Sequence, residues 1–520
     1  MRLRCLLLLL ALPLHLSAAD HTRLLLAGGA LPVCSNAQPE ACVAGTVLAP
    51  APAAARYRLD AAGIGRTAAS GWLSARADAR TRVLGALRRW LARAGAHDFA
   101  ADALPQALGA EGGAWSDLAG FEQARILDAL ERTPLTEELR LDASTETSGA
   151  SIYRELVAMA RASGHQRPRV LISTASSRDP YAAIDYYRDL YTQAGAEVRW
   201  LPLDQAVRAA RDADDCARLD RLRGQLGGAH DRDRLYPARA AELAHACAEP
   251  ERRLELLRWA DALFLNGGDQ SYTRAAWFLA DGRASADLEL LRQRLRAGTL
   301  VLAGTSAGTA VQSGPVMMVS GPALPRGKPW PLRQLPPDPD CRAAKACAGV
   351  DPDALMFHPD GGLGSFADGV LDTHFSQRGR DYRLATLLIH GAAGLGVGID
   401  EGTALRLERD AGGWRGRVIG AAGVTVLQSR DRQTLARWRY RSGDDLRLPP
   451  PAHAGAGCAG LPLPPIQAGV DGLALAALFD RLQLSRPQPL VLVQGSERVQ
   501  AGWICAGERG ARLWTLPPAR

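Results

Sequence analysis

Short apolar runs alternate with amphipathic stretches over much of the chain. Apolar runs at 169–175, 197–201 and 263–266 are bounded by turn-forming residues, which is typical of buried strands. Between the first two runs, residues 181–194 place their apolar side chains on one face of a helix. Strand, helix and strand in this order indicate a parallel βαβ unit. We therefore predict an α/β fold with a mostly parallel sheet flanked by helices.

Further strands and one helix extend this layout. An apolar run at 21–27 ends in two glycines and predicts a first strand. Runs at 370–375 and 394–399 predict two more strands, with a helix at 380–390 between them. Three shorter runs within 403–428 alternate with turn signals, as the strands of an antiparallel edge do.

Two regions depart from the α/β pattern. Residues 35–147 are rich in alanine and arginine, and their best helix, at 81–94, has one apolar and one basic face. Residues 431–520 contain a proline-rich linker, one helix and two strand-like runs. We predict the following units: a leader at 1–19, an α/β domain at 20–34 and 148–430, a helical insertion at 35–147, and a small C-terminal extension at 431–520.

The first residues have the features of a secretory signal. Arg2 and Arg4 precede a leucine-rich run that reaches Ser17-Ala18-Ala19, which predicts cleavage after Ala19. The run is too short for a membrane span, so we do not expect a membrane-bound protein. We expect a secreted or periplasmic protein.

The cysteines fit an exported protein. Removal of the leader takes away Cys5 and leaves an even number, as disulfide bonding requires. No pair has the spacing of a zinc site. We predict that cysteines adjacent in sequence pair with each other: Cys34 with Cys42, Cys216 with Cys247, Cys341 with Cys347, and Cys458 with Cys505.

The charge balance excludes one class of partner. The formal net charge is +7, and removal of Arg2 and Arg4 with the leader reduces it further. Basic and acidic residues are interleaved along the chain, so a nucleic-acid partner has little support.

Ser306 lies at the centre of the segment G-T-S-A-G at 304–308, directly after the apolar run 301–303. This pattern predicts a strand, a sharp turn and a helix. A nucleophilic serine at such a turn needs small neighbours, because a Cβ at Gly304 or Gly308 would collide with the adjacent strand or helix. The following helix N-terminus would favour negative charge beside the serine. Ser306 is thus a candidate nucleophile, although the segment also suits a plain strand-to-helix connection.

Two candidate partners for Ser306 follow predicted strands. A serine hydroxyl needs a base that takes its proton and a third group that orients the base. His374 follows one strand, and Asp400 and Glu401 end the next, at the edge where open α/β sheets place their sites. His358 is a rival base. Ser306, His374 and Glu401 form a candidate triad, whose order differs from the Ser, Asp, His order of α/β-hydrolases.

Four motifs together resemble one known family. They are G-T-S-A-G at 304–308, N-G-G-D-Q at 266–270, D-T-H-F-S-Q-R-G-R at 372–380 with Arg383, and G-V-G-I-D-E at 396–401. In this combination the chain resembles the cyanophycinases, serine exopeptidases related to the α-aspartyl dipeptidases. The resemblance covers about residues 23–34 and 150–428 and implies a class I glutamine amidotransferase-like fold.

The resemblance also implies roles for individual residues. Ser306 corresponds to the nucleophile, His374 to the base and Glu401 to the carboxylate that orients it. Thr373 stands where the family commonly has glutamine, which puts the substrate in doubt. The substrate-binding residues would be Gln270, Asp372, Thr373, Arg378, Arg380 and Arg383, and the oxyanion donors would be the N–H groups of Gly268 and Ala307.

The expected reaction is release of β-Asp-Arg dipeptides from cyanophycin, a polyaspartate that carries arginine on its side chains. The arginines would hold substrate carboxylates, and Asp372 would meet a guanidinium. No metal or organic cofactor is implied. The expected partner is therefore a polymeric or short peptide containing aspartate and arginine, and a homodimer is left open.

Four alternatives remain at this point. An aspartyl or isoaspartyl dipeptidase would use the same triad on a different peptide. A patatin-like acyl hydrolase would pair Ser306 with an aspartate in D-G-G, which Asp360 supplies. A catalytically inactive protein would bind acidic or arginine-rich peptides through the same arginines. A metal hydrolase would use His358, Asp360, Asp372 and His374.

Overall fold

The structure is a computed structural model of the chain, and the predicted leader lies outside the residues that it describes. Cys341, Cys347 and Cys458 also lie outside them, so two of the four predicted cysteine pairs are not described in full. The described residues are 20–49, 56–70, 72, 76–100, 103–109, 114–118, 120–133, 137–323, 332–333, 355–450, 461–482, 486–506 and 512–516.

The strands are short and come in two groups, separated by a helix-rich region. In chain order they are β1 (Arg23–Ala27), β2 (Tyr57–Leu59), β3 (His97–Phe99), β4 (Arg169–Ser173), β5 (Glu197–Trp200), β6 (Ala262–Leu265), β7 (Val301–Thr305), β8 (Met317–Ser320), β9 (Leu332–Arg333), β10 (Leu355–His358), β11 (Val370–Thr373), β12 (Leu395–Ile399), β13 (Thr403–Asp410), β14 (Gly413–Gly420), β15 (Gly423–Ser429), β16 (Thr434–Arg441), β17 (Asp445–Leu448), β18 (Ile466–Gly469), β19 (Gln488–Gln494), β20 (Glu497–Ala506) and β21 (Arg512–Thr515).

Most helices lie before the second group of strands, and the predicted ones form within a few residues of their expected bounds. The α-helices are α1 (Ala61–Ala69), α2 (Ala77–Ala94), α3 (Ala103–Gly109), α4 (Gly120–Leu130), α5 (Thr147–Ala160), α6 (Ile184–Gln193), α7 (Gln205–Asp212), α8 (Leu219–Gly227), α9 (Arg232–Leu235), α10 (Pro237–Ala248), α11 (Glu251–Trp259), α12 (Gln270–Trp277), α13 (Ala286–Arg296), α14 (Ala307–Ala310), α15 (Asp381–Ile389) and α16 (Leu473–Arg481).

The first sheet has eight strands in the order β17-β14-β13-β1-β7-β6-β4-β5. Strands β1, β7, β6, β4 and β5 run parallel, which confirms the predicted α/β core. The central side chains of β1, β7, β6 and β4 are buried, as expected for parallel strands covered on both faces, while those of the edge strand β5 are partly exposed. Ala27 lies beside Thr305 in the register, so the residues that follow these two strands, Gly28 and Ser306, are neighbours. Two strands of the predicted antiparallel edge form as β13 and β14, and β17 completes this edge. The third predicted strand, at 424–428, forms as β15 but belongs to the second sheet, which corrects that part of the prediction.

The second sheet corrects the expectation of a single mostly parallel sheet. It also has eight strands, in the order β11-β12-β15-β16-β21-β20-β19-β18, and most of its pairs are antiparallel. One of its two parallel pairs, β11–β12, sets Thr373 beside Ile399. Apolar runs predict that strands form, but they do not specify the neighbour of each strand. Apart from β17, which belongs to the first sheet, the strands of residues 431–520 extend this second sheet. The predicted domain division stays a prediction.

Residues 57–130 form a hydrophobic cluster of their own. The apolar face of α2, with Val83 and Leu87 fully buried, packs with side chains that include Leu59, Leu104 and Ile126. Besides the predicted helices, this region contains the small sheet β2–β3. Its surface is held to the α/β core by polar contacts that are described below.

Two of the predicted disulfides are present. Cys34 is bonded to Cys42, and Cys216 is bonded to Cys247. Cys505 is also disulfide-bonded, but its predicted partner lies outside the described residues. Among the helices that the structure describes, none is both long and apolar enough to cross a membrane.

Candidate active site

Ser306 lies at the sharp turn between β7 and α14. Its backbone has φ 52° and ψ −115°, a conformation that is strained for a residue with a side chain. A Cβ at Gly304 would lie 2.1 Å from the carbonyl oxygen of Gly308, and a Cβ at Gly308 would lie 2.2 Å from that of Leu265. The requirement for glycine on both sides of the serine is therefore confirmed.

The turn is fixed mainly by hydrogen bonds rather than by a long helix. Ser306 N–H donates to the carbonyl oxygen of Ala27 at 3.1 Å. The Thr309 hydroxyl lies 2.7 Å from that oxygen and 2.7 Å from the carbonyl oxygen of Gly304. Helix α14 has only four residues, which corrects the expectation of a full helix whose dipole faces the serine. The sequence analysis did not identify Thr309 as part of the site. Only its position just after the serine motif could have indicated this role.

His374 and Glu401 complete a chain of hydrogen bonds to Ser306. The Oγ of Ser306 lies 2.7 Å from His374 Nε2, and His374 Nδ1 lies 2.6 Å from Glu401 Oε1. His374 has φ 48°, and its N–H donates to the carbonyl oxygen of Gly28 at 2.8 Å. The three residues follow β7, β11 and β12, so strand ends from both sheets build the site. Such an arrangement allows proton transfer from serine to imidazole.

The two adjacent acids after β12 have different partners. Asp400 is fully buried, forms an ion pair with Arg439, and accepts a hydrogen bond from Ser376 N–H at 3.0 Å. The side chain of Glu401 is 31% exposed and faces His374. Asp400 therefore stabilises the loop, while Glu401 is the carboxylate that can orient the imidazole.

Burial lowers the pKa of His374 below the usual value for an imidazole. The hydrogen bond to Glu401 opposes this shift, and the positive charges of Arg378 and Arg380 add to it. This lowered pKa favours the neutral form of the His374 imidazole. A neutral imidazole next to the serine hydroxyl is the form that can accept its proton.

A cavity of about 270 Å³ opens beside Ser306. It brings together all the residues that the sequence assigned to substrate binding and to the oxyanion: Gly268, Gln270, Ala307, Asp372, Thr373, Arg378, Arg380 and Arg383. The Gln270 amide donates to the carbonyl oxygens of Met318 and Val319 at 2.8 and 2.9 Å, which joins the turn after β6 to strand β8.

The arginines of the cavity differ in their partners. Arg383 binds both carboxylate oxygens of Asp372, and Arg380 donates to Asp372 at 3.2 Å and to the Thr373 carbonyl at 2.7 Å. Burial alone would raise the pKa of Asp372, but Arg383 and Arg380 outweigh it and hold that pKa below its usual value. Arg378 is exposed and has no ion pair among the residues that the structure describes. This arrangement favours a substrate carboxylate at Arg378 and does not support a substrate guanidinium at Asp372.

Two peptide N–H groups of the cavity lining are candidate oxyanion donors. Gly268 and Ala307 line the cavity with Ser306, and neither N–H donates to another described residue. A Cβ at the neighbouring Gly267 would lie 3.4 Å from Ser306 Cβ, so the turn after β6 closely approaches the serine. Free donors beside a nucleophile are what a tetrahedral intermediate needs.

The rival residues His358 and Asp360 do not line this cavity. Asp360 N–H donates to His358 Nδ1 at 3.3 Å, and burial lowers the pKa of His358 to about 4. Asp360 is largely exposed. Because the Ser306 hydroxyl meets an imidazole, the geometry does not favour the serine–aspartate dyad of a patatin-like hydrolase. Among the described residues, no group of three or more histidine, cysteine or acidic side chains is arranged to hold a metal ion.

The C-terminal strands reach the loop that carries Arg378 and Arg380. A Cβ at Gly379 would lie 2.0 Å from the carbonyl oxygen of Val470, and a Cβ at Gly472 would lie 1.2 Å from that of Ser376. The backbone after β11 and the backbone after β18 are therefore in direct contact at Gly379 and Gly472, both of which have positive φ. The sequence did not predict this contact, and a glycine between a strand and a helix is too weak a signal to reveal it.

The chain is similar to several curated proteins, while no family model matches it. It is 33% identical over 165 residues to a cyanophycinase of Trichormus variabilis, and 31% identical over 186 residues to one of Synechococcus elongatus. A cyanophycinase of Geminocystis herdmanii is 26% identical over 279 residues. By sequence, the chain is cyanophycinase-like. This confirms the resemblance that the four motifs predicted.

The cyanophycinase-like similarity has limited coverage. It includes 32%, 36% and 54% of this chain for the Trichormus, Synechococcus and Geminocystis proteins, and 44%, 47% and 76% of those proteins. The chain thus spans about half the length of two of these relatives. The crystal structure of a peptidase from an acI-B1 Actinobacterium is 18% identical, over 59% of this chain and 92% of that one, with a TM-score of 0.35.

Proposed function

We propose that the protein is a serine peptidase that hydrolyses cyanophycin to β-Asp-Arg dipeptides. The observation that carries the proposal is the hydrogen-bonded series Ser306, His374 and Glu401, which opens onto a cavity with arginines. The similarity to cyanophycinases supports the choice of substrate class. A fold like that of the class I glutamine amidotransferases belongs to the same proposal.

In the proposed mechanism, Ser306 Oγ attacks the scissile carbonyl carbon while His374 Nε2 takes its proton. Glu401 holds the imidazole in the tautomer with hydrogen on Nδ1 and stabilises its protonated form. The N–H groups of Gly268 and Ala307 bind the oxyanion. His374 then returns the proton to the leaving amine, which leaves an acyl-enzyme. Water, deprotonated by His374, hydrolyses this ester and restores Ser306.

Substrate recognition would depend on Arg378. Arg380 and Arg383 are engaged with Asp372, so their role is to fix the wall of the cavity, whereas Arg378 is exposed. A free carboxylate of the substrate would form a charge-assisted, bidentate pair with it. The arginyl groups of cyanophycin carry such carboxylates. The predicted leader adds the proposal that the protein acts after export, as a secreted or periplasmic enzyme.

The deciding experiment is incubation of the full chain with insoluble cyanophycin, followed by mass spectrometry of the soluble products. We expect β-Asp-Arg from the wild-type protein and none from Ser306→Ala. The matched control is Ser151→Ala, since Ser151 is exposed on α5 and does not line the cavity. Product from Ser306→Ala at the wild-type rate would overturn the nucleophile assignment. If a serine-reactive phosphonate labels Ser306 but no β-Asp-Arg is released, the substrate is another aspartyl or isoaspartyl peptide.

A further inference from the structure

The region 57–131 ends in two buried carboxylates that do not belong to its own apolar cluster. Asp128, near the end of α4, and Glu131, just after it, are 1% and 4% exposed. Asp128 makes two hydrogen bonds of 2.8 Å with Arg178. Arg232, itself 1% exposed, lies 3.2 Å from Asp128 and 2.6 Å from Glu131. The insertion is therefore joined to the α/β core by buried ion pairs with Arg232 and by a two-point ion pair with Arg178, whose side chain is 40% exposed.

Both arginines reach the loop that follows strand β4. Arg178 belongs to this loop, and Arg232 pairs at 3.0 Å with the adjacent Asp179. Arg178 also donates to the carbonyl oxygen of Gly228 at 2.7 Å. Removal of one partner from a buried ion-pair network leaves a charge without compensation, which is strongly unfavourable. The carboxylate of Asp128 thus fixes the position of residues 178–179.

The loop after β4 also forms hydrogen bonds with the turn that contains Gly268. Asp269 N–H donates to the carbonyl oxygen of Ser176 at 2.8 Å, and Ser176 N–H donates to Asn266 Oδ1 at 3.2 Å. Asn266 Nδ2 donates to Ser177 Oγ at 2.6 Å. Gly268 has φ 142°, and a Cβ there would lie 2.0 Å from the Ser176 oxygen. Because the two segments are in such close contact, a shift of Ser176 would also displace the turn that contains Gly268.

We propose that Asp128 is a positioning residue for the oxyanion donor at Gly268. This inference rests on the proposed function. Asp128 contacts Arg178, the backbone links Arg178 to Ser176 two residues earlier, and Ser176 contacts the turn after β6. Loss of the carboxylate releases the β4 loop, and the Gly268 N–H then no longer points at the developing oxyanion. The insertion thereby contributes to the rate of reaction without touching the substrate.

The test uses the full chain with Asp128→Asn, which keeps the size of the side chain and removes its charge. The readouts are kcat and KM for β-linked Asp-Arg peptides and the rate at which a phosphonate labels Ser306, both normalised to folded protein. Because the phosphonate adduct also needs the oxyanion donors, we expect kcat and the labelling rate to fall together by at least about tenfold. KM should stay within about twofold, since Arg378 lies on a different loop and the Gln270 side chain is held by its two hydrogen bonds to β8.

The matched control is Asp98→Asn in the same insertion. Asp98 pairs with Arg58 and Arg132 at partly exposed positions, and among the described residues it forms no ion pair with the β4 loop. It should retain both rates within about twofold. If Asp128→Asn fails to fold, Arg178→Lys decides the question, because lysine keeps the charge but loses the two-point contact.

Each outcome decides something different. Folded Asp128→Asn or Arg178→Lys protein with wild-type kcat and labelling rate would overturn the positioning role while the proposed function stands. A rise in KM without a fall in labelling would also overturn it, since that pattern indicates a substrate-binding defect. Wild-type protein that neither cleaves the peptide nor reacts at Ser306 would overturn the proposed function, and this inference with it.

Discussion

The Cα atom of Gly29 lies directly against the imidazole of His374. A Cβ at position 29 would come 2.3 Å from His374 Cε1 and 2.5 Å from Nε2. The φ of Gly29 is 103°, which L side chains rarely adopt. The loop after β1 therefore fixes the orientation of the His374 imidazole toward Ser306.

Gly29→Ala should lower kcat by about a hundredfold, because displacement of a catalytic group by about 1 Å has an effect of this size. The control is Gly45→Ala, where φ is 88° but no atom lies within 4 Å of the added Cβ. The control therefore tests backbone strain without a collision. Steady-state kinetics on folded protein checks the prediction, and equal kcat values for the two variants would contradict it.

The pH profile should report the pKa of His374, which burial lowers. Protonated imidazole cannot accept the Ser306 proton, so kcat/KM should fall as the pH drops below that pKa and stay constant around pH 7. Glu401→Gln removes an interaction that raises this pKa, so the acid limb should move to lower pH. The plateau should also fall, by up to about 10⁴-fold, because the imidazole is no longer held in the required tautomer.

The measurement is kcat/KM between about pH 4.5 and 8.5 for both proteins, within the range where they stay folded. Glu408→Gln is a suitable control, since Glu408 lies on β13 and pairs with Arg406 away from the cavity. An acid limb that moves upward in Glu401→Gln would show that another group titrates.

Gly472→Ala should weaken substrate binding and lower the melting temperature. The added Cβ would collide with the carbonyl oxygen of Ser376 and displace the loop that carries Arg378. If the carboxylate contact of Arg378 is lost, KM should rise by about tenfold or more, since a charge-assisted hydrogen bond contributes about 1.5–3 kcal/mol. The control is Gly443→Ala, which has φ 93° and open space around the Cβ. An unchanged KM would mean that the loop tolerates the collision.

The two observed disulfides should differ in their effect on stability. The Cys216–Cys247 bond spans 31 residues and the Cys34–Cys42 bond spans 8. Loop-closure entropy in the unfolded chain predicts a loss of about 3–4 kcal/mol for the longer loop and about 1 kcal/mol less for the shorter one. Paired cysteine-to-serine variants, compared by urea denaturation, test this order. A larger loss from the Cys34–Cys42 variant would point to strain or to residual structure in the unfolded chain.

The sequence alone determined the local features of the site. The alternation of apolar runs and helical faces specified the parallel strands, and the glycines around Ser306 specified a turn with no room for side chains. Adjacent cysteines predicted both observed disulfides, since short loops close most readily. The candidate triad could also be predicted from the sequence, because the residues that follow parallel strands lie at one edge of a sheet.

Only the tertiary structure decided which charges meet. Asp400 and Glu401 are adjacent in sequence, yet one is buried against Arg439 and the other faces His374. Asp372 is held by Arg383, and Asp128 binds an arginine 50 residues away. Such partners depend on strand register and on packing between distant segments, which local periodicity does not encode. The second sheet and the crossing at Gly472 were missed for the same reason, because both arise from long-range pairing of backbone.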